Sequence, residues 1–167
     1  MKSFPRLPLL LLTVVALSTV AGCSSADDRA VPVPTPSGDQ AKFCRALHKE
    51  LPSSLDGMER KVTKPASDFT AAWGDDSPIV LRCGVNRPRV VTPREKHYNP
   101  NTDTVEVNGV EWLPEEQPDG SVRCTTSKRV AWVEVTLPKK YTGPNRGFGL
   151  LVDLAEPVKK SVPFGII

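Results

Sequence analysis

Cysteine is the residue type with most chemistry to offer in this chain, and its four copies are not equivalent. Cys23 closes the run Val20-Ala21-Gly22-Cys23, which has the form of a lipobox: an aliphatic residue three before the cysteine, with small residues between. That pattern suits a thiol that takes up a diacylglyceryl group and becomes the first residue after cleavage. The preceding stretch agrees, with Lys2 and Arg6 at its start and an apolar Leu7–Val20 broken only by Pro8, Thr13, Ser18 and Thr19. It is too short, and too closely followed by polar residues, to read as a spanning helix. Residues 1–22 are therefore expected to be a signal peptide. Acyl chains of the palmitate class on Cys23 would hold the mature chain on the outer face of the cytoplasmic membrane, two chains being enough for stable anchoring.

Outside the cytoplasm disulfides persist, and Cys44, Cys83 and Cys124 remain to form them. Three is odd, so one thiol is left over, and the sequence by itself allows all three pairings. Cys124 sits in an alternating stretch and reads as a small buried hydrophobe. Its catalytic alternative is a thiolate paired with His97 and oriented by Asp103 or Glu111, which requires an exposed thiol of depressed pKa.

The cluster Trp73-Gly74-Asp75-Asp76-Ser77-Pro78 leads into the strand that carries Arg82. An aromatic face beside two acids can line a ligand cleft, so Trp73, Asp75, Asp76 and Arg82 are candidate ligand-binding residues. The rival reading has Trp73 plugging the core beneath the turn. His48 reads as a solvated helix position, and His97 lies in a basic loop. Neither stands at a metal-ligand spacing from a cysteine or carboxylate, and no cofactor motif occurs. The pairs Asp75-Asp76 and Glu115-Glu116 read as solvated turn residues, because adjacent carboxylates seldom converge on one bond. With Lys2 and Arg6 assigned to the leader, the remaining charge is close to +1, which gives no footing for nucleic-acid binding.

These residues need a scaffold. Removing residues 1–22 leaves 145 of 167 residues, enough for one domain with a real core. Residues 23–38 hold three prolines at alternate positions and no aromatic, and read as a tether. Fully extended, at about 3.1 Å per residue, it would lift the domain roughly 40–50 Å from the lipid. Residues 39–167 are the predicted globular domain. A helix is expected from Ser37, with Gln40 completing a capping box and Phe43, Leu47 and Leu51 on one stripe until Pro52 stops it. A turn at Asp56-Gly57, a short strand over 58–62, and a buried strand over 79–85 follow. Residues 86–101 read as an exposed loop, and 105–113 as a hairpin turning at Asn108-Gly109. Strands over 121–126 and 130–137 precede a final helix through Leu150 and Leu154, expected to end near Glu156 because Pro157 fits its interior badly. The predicted class is α+β: a single domain, an antiparallel sheet with an N-terminal and a C-terminal helix packed on one face, and one internal disulfide.

Trp73-Gly74-Asp75, the strand Ile79-Val80-Leu81-Arg82-Cys83-Gly84-Val85, and the hairpin Val107-Asn108-Gly109-Val110-Glu111-Trp112-Leu113 occur together, after a helix with the Cys-x-x-Leu pattern of Cys44 and Leu47. Over about residues 40–158 this resembles an actinobacterial envelope lipoprotein family of unknown function. The resemblance implies an envelope location and supports Cys44–Cys83 as the disulfide. The position of Cys124 is commonly aromatic in that pattern, so this cysteine is a departure, which favours a core role. The family supplies no activity. The leading expectation is a non-catalytic binding or adaptor module of the cell envelope with a protein partner. A binder of a cell-wall precursor or nutrient at Trp73 and Asp75 comes second, and a cell-wall hydrolase or transferase third.

Overall fold

The computed structural model describes residues 30–143 and 148–165. The expected signal peptide, Cys23, the first part of the tether, and residues Pro144 and Gly147 of the last loop lie outside the described residues. The frame is one eight-stranded antiparallel sheet in the order β1-β2-β3-β4-β8-β7-β6-β5. Its strands are β1 (Ser54–Leu55), β2 (Met58–Lys61), β3 (Thr70–Trp73), β4 (Ile79–Val85), β5 (Val105–Val107), β6 (Val110–Glu116), β7 (Val122–Thr126) and β8 (Trp132–Leu137). Helices α1 (Gly38–Glu50) and α2 (Val152–Ser161) pack on each other and on one face of that sheet. The class is α+β in a single domain, with Cys44 bonded to Cys83.

Alternation decides what each face is made of, since successive side chains of a strand point to opposite sides. Registers Trp73↔Ile79, Leu81↔Val135, Cys83↔Val133 and Cys124↔Val135 put these residues on the helix face. There they meet Cys44, Leu47 and Leu51 of α1 and Leu154, Ala155 and Val158 of α2 in one core. The alternate positions Arg82, Glu134, Arg123, Thr125, Leu113 and Glu115 form the second face.

Local details depart from expectation for identifiable reasons. Ser37 precedes α1 in extended conformation, but its hydroxyl makes no cap bond. At the other end of α1, Arg60 of β2 donates to the carbonyls of His48 and Leu51 at 3.0 and 3.4 Å, satisfying groups the helix leaves open. The Asp56-Gly57 turn closes a hairpin, β1–β2, with both residues at positive φ as at Asn108-Gly109. Strand β3 went unpredicted: Thr-Ala-Ala-Trp is buried throughout and has no polar alternation to reveal it. β6 runs on to Glu116 through Pro114, where β5 no longer pairs with it, so a missing donor is tolerated. Helix α2 likewise continues past Pro157 to Ser161, held by the buried Leu154, Ala155, Val158 and Ser161.

Residues 31–36 are extended, as a proline-rich segment should be, yet they lie against the domain. The Val31 amide donates to the Lys64 carbonyl at 2.8 Å. Arg82 donates to the Pro32 carbonyl at 3.3 Å. Pro36 packs on Gly84, where a Cβ would lie 2.5 Å from the proline ring. Gly84 has φ +85° at the β-bulge between Cys83 and Val85, so both space and backbone demand glycine.

Candidate functional site

The Arg82-Cys83-Gly84 run occupies three successive positions of β4, and each residue holds a different piece of the N-terminal chain. Cys83 points to the helix face and is bonded to Cys44 of α1. Arg82 and Gly84 point to the second face and hold Pro32 and Pro36. Residues 31–36 thus form a strap along the β3–β4 side of the sheet.

From Arg82 a row of alternating charges crosses four neighbouring strands. Arg82 Nε donates to Glu134 Oε1 at 2.9 Å. Arg123 stands 3.7 Å from the other oxygen of Glu134 and donates to Glu115 at 3.1 Å. The Glu134 side chain is only 9% exposed and lies between these two arginines. Beside Glu115, the 86–104 connection encloses a cleft of about 390 Å³ lined by Arg89, Val90, Glu95, Lys96 and His97. Arg89 is occupied by Glu95 at 3.0 Å.

A larger open cleft, about 530 Å³, lies between the end of α1 and the β2–β3 connection. Its walls include His48 and Leu51 of α1, Arg60 and Lys61 of β2, and Val62, Thr63 and Asp68 of the connection. Thr63 and Thr70 share a buried 2.6 Å hydrogen bond at its edge. His48 is half-buried here rather than solvated, with Nδ1 3.9 Å from Asp68. Burial first, then the neighbouring Arg60 guanidinium, hold its pKa below the ordinary imidazole value, while Asp68 opposes them. Val62 stands beside this cleft with 82% of its surface exposed. The charges around this cleft are met within the chain: Arg60 by the His48 and Leu51 carbonyls, Lys61 by Asp75, and Asp68 by His48, which leaves Val62 as its exposed apolar feature.

The residues proposed from sequence for ligand binding are not brought together. Trp73 is 0% exposed in the core, its indole donating to the Pro52 carbonyl at 3.1 Å, so no aromatic face is open to a ligand. Arg82 belongs to the opposite face of the sheet. Asp75 is ion-paired with Lys61, and Asp76 is exposed in the β3–β4 turn. Glu115 is a strand residue in the charged row, not a turn residue. Cys124 is fully buried on the helix face, where desolvation pushes its thiol up to about 12. His97 is exposed beside Glu115 on the other side of the sheet, so no Cys124–His97 couple exists. Among the described residues, no group of three His, Cys, Asp or Glu side chains converges to hold a metal.

Sequence reasoning missed the strap and this cleft. The strap's signal was present, a glycine in a buried strand, which often marks close approach of another backbone.

Fold and site together define a class: a disulfide-pinned α+β domain with a dry helix face and a charged, strapped second face. The chain belongs to the family described as a protein of unknown function (DUF3515), whose profile matches residues 6–166. No curated protein and no solved structure matches the chain.

Proposed function

We propose that this chain is an extracytoplasmic lipoprotein, anchored through acylated Cys23, whose domain serves as a non-catalytic binding or adaptor module of the cell envelope. The observation that carries the reading is the Cys44–Cys83 bond in the core, which joins α1 to the central strand β4. Such a bond belongs to an oxidising compartment, and the Val20-Ala21-Gly22-Cys23 run gives the route there. The chemistry of the described residues favours binding over catalysis. The free thiol is buried and kept protonated, and the carboxylates and guanidiniums of the second face neutralise one another.

The test is mass spectrometry of the protein recovered from native membranes, with in-cell cross-linking of the wild type and of a Cys23→Ser form. A diacylglyceryl group on Cys23, and a specific envelope cross-link lost with the anchor, are the expected results. An unmodified Cys23 thiol in a soluble chain overturns the anchor, and a monomer without cross-links overturns the adaptor role.

A further inference from the structure

The strap changes how far the domain can stand from its anchor. If residues 24–38 were all free, the reach would be roughly 40–50 Å. The chain is already held at Val31, by the hydrogen bond to Lys64 and then by Arg82 and Gly84. Only the seven residues from Ser24 to Ala30 remain as spacer, and even fully extended they span about 25 Å. A domain of this size is about 35 Å across, so it cannot turn the strapped end away from the membrane.

That end is the β2–β3 connection, which carries the feature most suited to a lipid surface. Val62 is 82% exposed at its start, beside the cleft holding Arg60, Lys61 and Asp68. Burying one valine is too little to recruit a free protein from solution. It is enough to fix the orientation of a protein already tethered at high effective concentration. Phe164, 70% exposed, is the rival apolar contact, but its backbone bridges Arg129 beside β7 and β8, away from the strap.

We propose that the domain docks on the phospholipid surface that carries its anchor. Val62 enters the interface among the phospholipid headgroups. The strap of residues 31–36 sets this orientation. The inference rests on acylation of Cys23, and its test separates the two.

The full lipidated chain is reconstituted in vesicles of phosphatidylethanolamine and phosphatidylglycerol, with a fluorophore at one of three positions: Ala66→Cys, exposed in the β2–β3 connection beside an intact Val62, Lys140→Cys or Phe164→Cys. Lys140 lies beyond β8, at the sheet end remote from the β2–β3 connection. Quenching by a lipid-borne quencher is expected at position 66 at about three-fold or more the level at 140 and 164. Val31→Pro removes the amide that bonds Lys64, and Gly84→Ala drives a methyl into Pro36. Both together should bring the three positions to similar quenching, with Val31→Pro alone as the milder variant should the pair not fold. A chain that floats with the vesicles yet quenches equally at all positions, or most at 164 or 140, overturns the docking and leaves the anchor. Unchanged contrast in the folded strap variants overturns the strap's role. A chain that does not float removes the anchor, and the docking with it.

Discussion

The two faces of this sheet are covered in different ways, although the same strands build both. The helix face is apolar and dry: Trp73, Ile79, Leu81, Val133 and Val135 meet two helices, and the Cys44–Cys83 bond locks one of them in place. The second face is charged. A row from Arg82 through Glu134 and Arg123 to Glu115 lies on it, with an extended strap along one side and an irregular connection along the other. Apolar burial is non-directional and supplies stability. Paired buried charges add little net stability, but they are costly to break and tie each residue to one partner. The comparison teaches that the helix face holds the fold together, whereas the second face sets where the N-terminal chain runs.

That division can be broken from either side. Replacing both cysteines, Cys44→Ala with Cys83→Ala, removes a cross-link closing a loop of 39 residues. The chain-entropy relation gives a loss of about 4 kcal/mol, to be read from urea unfolding midpoints. If the loss is under about 1 kcal/mol, α1 is held by packing alone.

On the second face, Glu134→Ala leaves Arg82 without its carboxylate and should cost about 2 kcal/mol, moderated because both arginines are partly exposed. Replacing the pair together, Arg82→Met with Glu134→Leu, should restore stability to within about 1 kcal/mol of the wild type. It should still loosen the strap, read as faster amide exchange at Val31, because the donor to Pro32 is gone. Stability and strap would then have been separated by experiment.

The smallest effect is at His48, on the boundary between the faces. Its pKa is lowered in the folded chain, so the unfolded chain binds the proton more readily. Its contribution to stability is complete above the unfolded imidazole value of about 6.5 and is lost as the pH falls through the folded value. His48→Gln should flatten that part of the profile in urea midpoints taken between pH 8 and pH 5. A wild type and variant that run parallel over this range would show that the cleft does not desolvate the imidazole.

Much of this was written in the sequence. Asn108-Gly109 specifies its hairpin because positive φ at two successive positions is a local demand. Ile79 to Val85 declares a buried strand by composition. The proposed anchor rests on the same kind of local pattern, Lys2, Arg6, the apolar run and Cys23. In each case the signal lies within a dozen or so neighbouring residues.

Only the tertiary structure could decide which face a residue serves. Trp73 and Arg82 looked like one cluster in the chain, but the β3–β4 register places them on opposite sides of the sheet. Thr70–Trp73 is a strand because its neighbours pair with it, and Pro157 stays helical because the residues around it are buried. The strap is the clearest case. A proline-rich segment carries no periodic signal of its own, and Arg82, which bonds Pro32, lies 50 residues further along the chain. The composition of such a segment says that it is extended. What it lies against is set by distant residues that folding brings to it.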